Sequence, residues 1–103
     1  MSLNKQEISR FRQIGHKLKP IVSIGTKGLT ESLLVELQRA LEDHELIKVK
    51  VSAENREDKK KVIAALCEES SAELVQSIGH IVLVYRAAKT ANPKLSNILR
   101  ASV

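Results

Sequence analysis

The stretch IVSIGTKGLTE, from Ile21 to Glu31, decides how this chain folds locally. Its first four residues form an apolar run typical of a strand, and its last three are typical of the start of a helix. Two glycines spaced three apart permit a tight turn and a close approach of the backbone to a ligand, because they carry no Cβ. A helix that follows such a loop directs unpaired N–H groups and the positive end of its dipole toward it. We therefore expect a loop suited to binding a phosphate, the alternative being a turn that merely needs glycine. The loop consists of Gly25, Thr26, Lys27 and Gly28.

Length and composition predict one small domain. The chain has 103 residues, and 43% of them are hydrophobic, which suits a single domain with its own core. The aromatic residues are only Phe11 and Tyr85, so the core must be built from Leu, Ile and Val. Cys67 is the sole cysteine, which excludes an internal disulfide and a cysteine zinc cluster and fits a reducing compartment.

The sequence carries no signal for export or membrane insertion. No apolar run approaches the roughly 18–20 residues needed to cross a bilayer. The first seven residues, MSLNKQE, are polar and lack the apolar stretch of a signal peptide. We therefore expect a cytoplasmic protein with no membrane partner.

The net charge of +5 is unevenly distributed. Residues 1–29 carry six basic groups and one acid, whereas residues 30–45 carry one basic group and five acids. Residues 80–103 carry four basic groups and no acid. This polarity suits a polyanion on one side of the molecule and water or another partner on the other. Charge alone does not separate a nucleic-acid binder from other small basic proteins.

Periodicity and turn residues predict seven elements in the order α-β-α-β-α-β-β. Each predicted helix follows a residue suited to an N-cap, namely Asn4, Thr30 or Asn55. The dipeptide Gly79-His80 fits a two-residue hairpin between the last two strands. We predict an α/β (α+β two-layer) fold with a four-stranded mixed sheet covered by helices. The predicted strands span about residues 21–24, 46–51, 74–78 and 81–85, and the first two helices about 4–17 and 31–44.

The end of the chain is predicted to lie outside this domain. After Arg86 the sequence becomes polar and includes Pro93. We assign residues 1–89 to the domain and residues 90–103 to a loosely held polar tail. The alternative is a docked final turn that uses Leu95, Ile98 and Leu99.

Several basic side chains are candidates for contact with an anion. Lys48 and Lys50 alternate with apolar residues, so they share one face of the second strand and repel each other unless an anion lies across them. Acidic side chains of the second or third helix could satisfy them instead. Lysines 59–61 stand beside Glu57 and Asp58 and are more typical of solvated charge. The candidates outside the loop are Lys17, Lys19, Lys48, Lys50 and Arg86.

No group of residues indicates catalysis, a metal site or a cofactor site. The three histidines, at 16, 44 and 80, show no ligand spacing. Cys67 falls on the apolar face of the third helix, where it is most simply a core residue. The loop lacks the Lys-Ser or Lys-Thr pair of a nucleotide P-loop and the spacing of a dinucleotide fingerprint. We therefore expect a protein that is not an enzyme, with no catalytic residue, metal, cofactor or small-molecule substrate.

The scarcity of aromatic residues limits the mode of binding. Single-strand binders often stack bases on exposed aromatic rings. Here Phe11 lies on a core stripe and Tyr85 lies in an apolar strand. Binding should depend on phosphate contacts and shape, and should therefore be strongly salt-dependent.

Longer motifs are more specific than the glycine pair. They are HKLKPIV (16–22) followed by IGTKGLT (24–30), HELIKVK (44–50), and VQSIG (75–79) with VLVYR (82–86). In this order they resemble the YhbY-type, single-domain form of the chloroplast RNA splicing and ribosome maturation (CRM) family. The resemblance covers about residues 4–86, and the tail carries no motif of this kind.

The resemblance implies properties that composition and spacing do not. It implies a compact fold like the C-terminal domain of translation initiation factor 3, and RNA binding through the GxxG loop and nearby basic residues. It further implies association with precursor large ribosomal subunits (pre-50S) in bacteria and a role in their assembly. Lys48 and Arg86 match the family motifs by position. We expect a monomer whose partner is ribosomal RNA.

Two other classes of function remain open from the sequence. One is an architectural protein that binds duplex DNA, since other small basic α/β domains do so. The other is a protein-interaction module that uses the acidic second helix against a basic partner. A small hydrolase would need a reactive group of residues that the sequence does not contain.

Overall fold

The computed structural model describes residues 3–101. Its first seven elements follow the predicted order, and a short fourth helix comes after them. The helices are α1 (Lys5–His16), α2 (Glu31–His44), α3 (Arg56–Ser70) and α4 (Asn97–Arg100). The strands are β1 (Pro20–Ile24), β2 (Leu46–Val51), β3 (Glu73–Ile78) and β4 (Ile81–Tyr85).

Side-chain caps fix where the three long helices begin, as predicted. Asn4 accepts a hydrogen bond from the amide of Glu7 at 2.8 Å, and the Glu7 carboxylate accepts one from the Asn4 amide at 3.2 Å. This pair forms a capping box. The side chains of Thr30 and Asn55 likewise each accept from an amide three residues ahead. These bonds satisfy N–H groups that have no partner within the helix.

The four strands form one mixed sheet in the order β1-β2-β4-β3. Strands β1 and β2 are parallel and are connected through α2, whereas β4 is antiparallel to both of its neighbours. The predicted hairpin is confirmed, since Ile78 pairs with Ile81 and Gly79 adopts a φ of +56°. The hairpin turn lies at the edge of the sheet where β1 and β2 end, because the amide of Val51 donates to the carbonyl of His80 at 2.7 Å.

The two faces of the sheet are covered differently. Helices α2 and α3 cover one face over a core of Leu, Ile and Val that includes Leu37, Leu66 and Val49. On the other face, α1 packs over a smaller cluster in which Phe11 and Tyr85 lie with ring centroids 4.6 Å apart. Beyond α1 this second face carries accessible side chains, and we call that region the open face. It comprises Ser23, Lys48, Lys50, Gln76, Ile78 and Ile81.

The tail is not loosely held, and its final turn is docked as the alternative proposed. Of the three apolar residues expected to dock, however, only Ile98 packs against the core, whereas Leu95 and Leu99 are exposed. Ser96 is fully buried, and its hydroxyl donates to the Glu45 carboxylate at 2.6 Å. The side-chain amide of Asn97 donates to the carbonyl of Leu46 at 2.7 Å. Glu45 is itself only 6% exposed. A buried carboxylate needs donors, and the tail supplies one of them. Where the domain ends, between residues 89 and 90, stays a prediction.

Candidate functional site

The glycine loop forms a tight exposed turn at the end of β1. The amide of Gly28 donates to the carbonyl oxygen of Gly25 at 3.0 Å, and Thr26 and Lys27 form the exposed tip. Gly28 has a φ of +80°, a conformation that side chains with a Cβ rarely adopt. The backbone of the turn therefore requires glycine at position 28.

Position 25, by contrast, does not require glycine for the conformation of the backbone. Its φ lies outside the left-handed region, and a Cβ placed on it would meet no atom within 4 Å. Neither the backbone nor the packing of the fold explains a glycine here. Its missing side chain instead leaves room for another molecule to approach the backbone beside Lys27.

The start of α2 contributes less to anion binding than the sequence suggested. Two residues, Leu29 and Thr30, separate Gly28 from Glu31, where the helix begins. The Thr30 hydroxyl accepts from the amide of Leu33 at 3.2 Å, and Glu31 places a carboxylate in the first turn. The Gly28 amide is also already engaged within the turn. The protein itself therefore uses the amides of Gly28 and Leu33, and binding of a phosphate by the other loop amides and the helix dipole stays a prediction.

The side of the loop that faces α3 has balanced charge. The loop lines a pocket of about 350 Å³ there, together with the start of α3. Lys27 and Lys61 border this pocket, but so do Glu54 and Asp58. Two carboxylates oppose two ammonium groups, so this pocket has no electrostatic preference for an anion.

The open face supplies positive charge next to the loop. Lys50 is exposed on β2 and pairs with Ser23, two residues before Gly25. Lys48 lies on the same face and pairs with Pro20 and with Leu83. Because α2 and α3 pack on the opposite face, the alternative that their acidic side chains satisfy these lysines is wrong. Lys50 is exposed and Lys48 is partly exposed, so an anion could lie across them.

The remaining predicted lysines lie at the other end of β1. Lys17 is the C-cap residue of α1, and Lys19 immediately precedes β1. Lys19 lines a pocket of about 170 Å³ together with Lys48. At about 3.3 Å per residue, Pro20 and Gly25 are about 16 Å apart along the strand. These predicted lysines therefore form two groups, one with Lys48 at the start of β1 and one made of Lys27 and Lys50 near its end.

Arg86 is not part of this surface. Its guanidinium donates to the side-chain oxygen of Gln38, to the carbonyl of Ser70 at 3.3 Å and to the carbonyl of Gln38 at 3.3 Å. It also lies 3.5 Å from the Glu42 carboxylate, and the Arg86 side chain is only 23% exposed. The sequence grouped Arg86 with the candidate RNA-binding residues, but the structure places it among α2 and α3, where it links the two helices. A part-buried guanidinium held in this way acts in packing and hydrogen bonding.

Sequence reasoning missed a group on the open face. His16 at the end of α1 borders a pocket of about 200 Å³ with Lys48, Gln76 and Ile78. Ile78 is 64% exposed, which is unusual for a large apolar side chain of a strand. The alternation of β3 and β4 could have placed Gln76 and Ile78 on the lysine face, but nothing in the sequence indicates that α1 ends beside them.

Other observations on the described residues concern metal ligation, helix length and the reactivity of Cys67. Among residues 3–101, no three histidine, cysteine or carboxylate side chains come together in a way that could hold a metal ion. None of the helices in that range is long and apolar enough to span a bilayer. Burial, and secondarily Glu73, raises the pKa of the Cys67 thiol, which disfavours the reactive thiolate. Phe11 is buried against Tyr85, so its ring is not presented for stacking.

These features define a class of protein: a small α+β domain with an exposed glycine turn and a cationic sheet face. The domain model of the CRS1 / YhbY (CRM) family matches residues 3–86. The chain belongs to this family, as its motifs predicted.

Similar proteins have related names. "Probable RNA-binding protein PA4753" of Pseudomonas aeruginosa is 48% identical over 97% of this chain and 96% of its own length. A protein of Haemophilus influenzae named "RNA-binding protein" is 42% identical over 91% of this chain and 95% of its own. The solution structure of the hypothetical protein SAV1595 from Staphylococcus aureus, described as a candidate RNA-binding protein, has a TM-score of 0.76 at 36% identity and covers 86% of this chain and 93% of that one. The likeness to translation initiation factor 3 stays a prediction.

Proposed function

We propose that this protein binds RNA, and that the glycine turn and the open face together hold the sugar-phosphate backbone. The proposal rests on the observation that the fold itself does not require glycine at position 25. The protein has no structural use for a glycine at this exposed position, whereas a ligand that must approach the backbone closely does. A GxxG loop that clamps backbone nucleotides is known in KH domains.

The placement of charge supports the same ligand. Lys27 stands at the tip of the turn, and Lys50 stands beside the end of β1 on the open face. A polyanion that reaches the turn from the open face meets these lysines and avoids Glu54 and Asp58, which border the turn on the side of α3. Phosphate contacts of this kind supply affinity with little sequence preference.

The names of the relatives favour RNA over DNA. The relatives from Pseudomonas and Haemophilus, which match nearly the whole chain, are both named as RNA-binding proteins. Duplex DNA would contact the same lysines through its phosphates, so direct competition between structured RNA and duplex DNA is the discriminating measurement. We expect RNA to compete the more strongly, and a clear preference for DNA would contradict the proposal.

The target we propose is ribosomal RNA in a precursor of the large ribosomal subunit. The support is the resemblance of the motifs to the YhbY-type form of the family. In this proposal the protein assists assembly as a cytoplasmic monomer without catalysing a reaction.

Crosslinking in cells followed by sequencing of the attached RNA tests the target. We expect crosslinked fragments to map to large-subunit ribosomal RNA and to co-sediment with particles lighter than the mature subunit. A variant carrying Lys27→Glu serves as the control, because it should lose these fragments while remaining folded. Fragments spread over unrelated transcripts would contradict the ribosomal target and leave RNA binding itself intact.

A further inference from the structure

Helix α4 brings a cation to the start of β1 that the family motifs do not include. Arg100 lies in the last turn of α4, beyond the residues that match the family model. Its side chain borders the pocket of about 170 Å³ that Lys19 and Lys48 also line. The three cations come from different elements, namely the α1–β1 connection, β2 and α4. Within residues 3–101, no carboxylate lines this pocket.

Contacts of the tail hold Arg100 at this position. The Asn97 amide donates to the carbonyl of Leu46 at 2.7 Å, at the start of β2. The imidazole Nδ1 of His44 donates to the carbonyl of Leu95 at 2.9 Å, and Ser96 is anchored on Glu45. The segment that precedes Arg100 is therefore fixed on the domain at several points. Arg100 is exposed, so its guanidinium can contact a ligand.

Three cations around one pocket repel one another, and an anion between them removes this cost. We propose that Lys19, Lys48 and Arg100 form a phosphate-binding subsite for the RNA backbone at the end of β1 opposite the glycine turn. This inference rests on the proposed function. A guanidinium can bind a phosphate through two parallel hydrogen bonds, so Arg100 adds direction as well as charge.

The distance between the subsite and the glycine turn, at opposite ends of β1, suits contact with one continuous nucleic-acid strand. Five residues of β1 at about 3.3 Å each separate the subsite from the glycine turn by about 16 Å. A few consecutive nucleotides of one RNA strand bridge this distance, so the same backbone can contact both the subsite and the glycine turn. Lys50 lies between the two ends on the open face. The tail thus lengthens the binding surface rather than serving only to cover the sheet.

Salt-dependent binding of a structured RNA hairpin tests the subsite. Arg100→Glu should weaken binding by about tenfold at moderate salt and make the slope of log K against log salt shallower by about one. Lys94→Glu is the matched control, because Lys94 lies in the same tail, is exposed and does not line the pocket. It should change affinity by less than about twofold, since Lys94 lies outside the lining of the pocket and its charge is screened by solvent. Melting temperatures of both variants should equal that of the unaltered protein.

The outcomes separate the subsite from the proposed function. If Arg100→Glu behaves like Lys94→Glu while the unaltered protein binds the hairpin, the subsite is wrong and RNA binding stands. If the unaltered protein does not bind the hairpin or large-subunit ribosomal RNA, both proposals are wrong. Arg100→Ala provides a second readout, because it removes the cation without adding an acid and should still weaken binding by a smaller factor.

Discussion

The Gly28 amide donates to the carbonyl of Gly25, so the two glycines close a single turn, yet they fulfil different requirements. Gly28→Ala must place a Cβ on a residue with a φ of +80°, which should cost about 1–2 kcal/mol of unfolding free energy. Gly25→Ala meets no atom of the protein and should leave stability unchanged. Urea unfolding of both variants measures this difference.

Although Gly25→Ala should leave stability unchanged, we expect it to lower the affinity for RNA. Gly25→Ala should weaken binding of a hairpin RNA several-fold, because its methyl group occupies the space that a backbone phosphate or ribose would use. Equal affinity of Gly25→Ala and the unaltered protein would show that the room in front of Gly25 has no role in binding.

We expect Arg86 to contribute to the stability of the fold rather than to RNA binding. Arg86→Leu removes the hydrogen bonds to Gln38 and to the carbonyl of Ser70, and the contact with Glu42. We expect a loss of about 1–3 kcal/mol in unfolding free energy, measured by urea titration, because these bonds involve a charged donor. At a temperature where both proteins are folded, hairpin RNA affinity should fall by less than about threefold, the effect of losing one distant charge. A large loss of RNA affinity with unchanged stability would contradict this structural role and would indicate that Arg86 contacts RNA.

The docked tail should contribute to the stability of the whole domain. Ser96→Ala leaves the buried Glu45 carboxylate without one of its donors and should cost about 1–3 kcal/mol. Ser77→Ala, at an exposed strand position, is the matched control and should change stability by less than about 0.5 kcal/mol. Thermal unfolding followed by circular dichroism measures both. An unchanged melting temperature for Ser96→Ala would contradict the packing of the tail.

The stability of the protein should decline in alkaline solution as Cys67 and Tyr85 lose their protons. Burial raises the pKa of the Cys67 thiol above the ordinary 9.0 and that of the Tyr85 hydroxyl above 10.0, with nearby carboxylates acting in the same direction. The unfolded chain therefore loses these protons first, so their contribution is complete below about pH 9 and is lost as pH rises through the folded-state pKa values. The double variant Cys67→Ala, Tyr85→Phe should show a smaller fall in its urea midpoint between about pH 8.5 and about pH 11. An identical fall in both proteins would contradict the assignment.

Local features of the fold were predictable, and long-range features were not. The caps at Asn4, Thr30 and Asn55 act on amides three residues away, so the sequence contains the whole interaction. Arg86 meets Gln38 from 48 residues away, and Ser96 meets Glu45 from 51 residues away. Such partners become neighbours only after the chain folds, and no local pattern identifies them.

In the candidate site, too, the local features were predictable and the long-range features were not. The turn and the common face of Lys48 and Lys50 follow from glycine spacing and strand alternation, and both were predicted. The carboxylates of Glu54 and Asp58 beside the turn were not predicted, because they belong to the next crossover. Arg100 was missed because its position depends on how the tail docks.

The central claim is that the turn around Lys27 holds RNA through its phosphates, and a salt titration of hairpin RNA binding tests it most directly. Lys27→Glu should bind more than about tenfold more weakly at moderate salt, with a shallower salt slope and an unchanged melting temperature. Lys5→Glu makes the same charge change at an exposed position in the first turn of α1 and should bind nearly as well as the unaltered protein. Equal affinities for Lys27→Glu and Lys5→Glu would contradict the account.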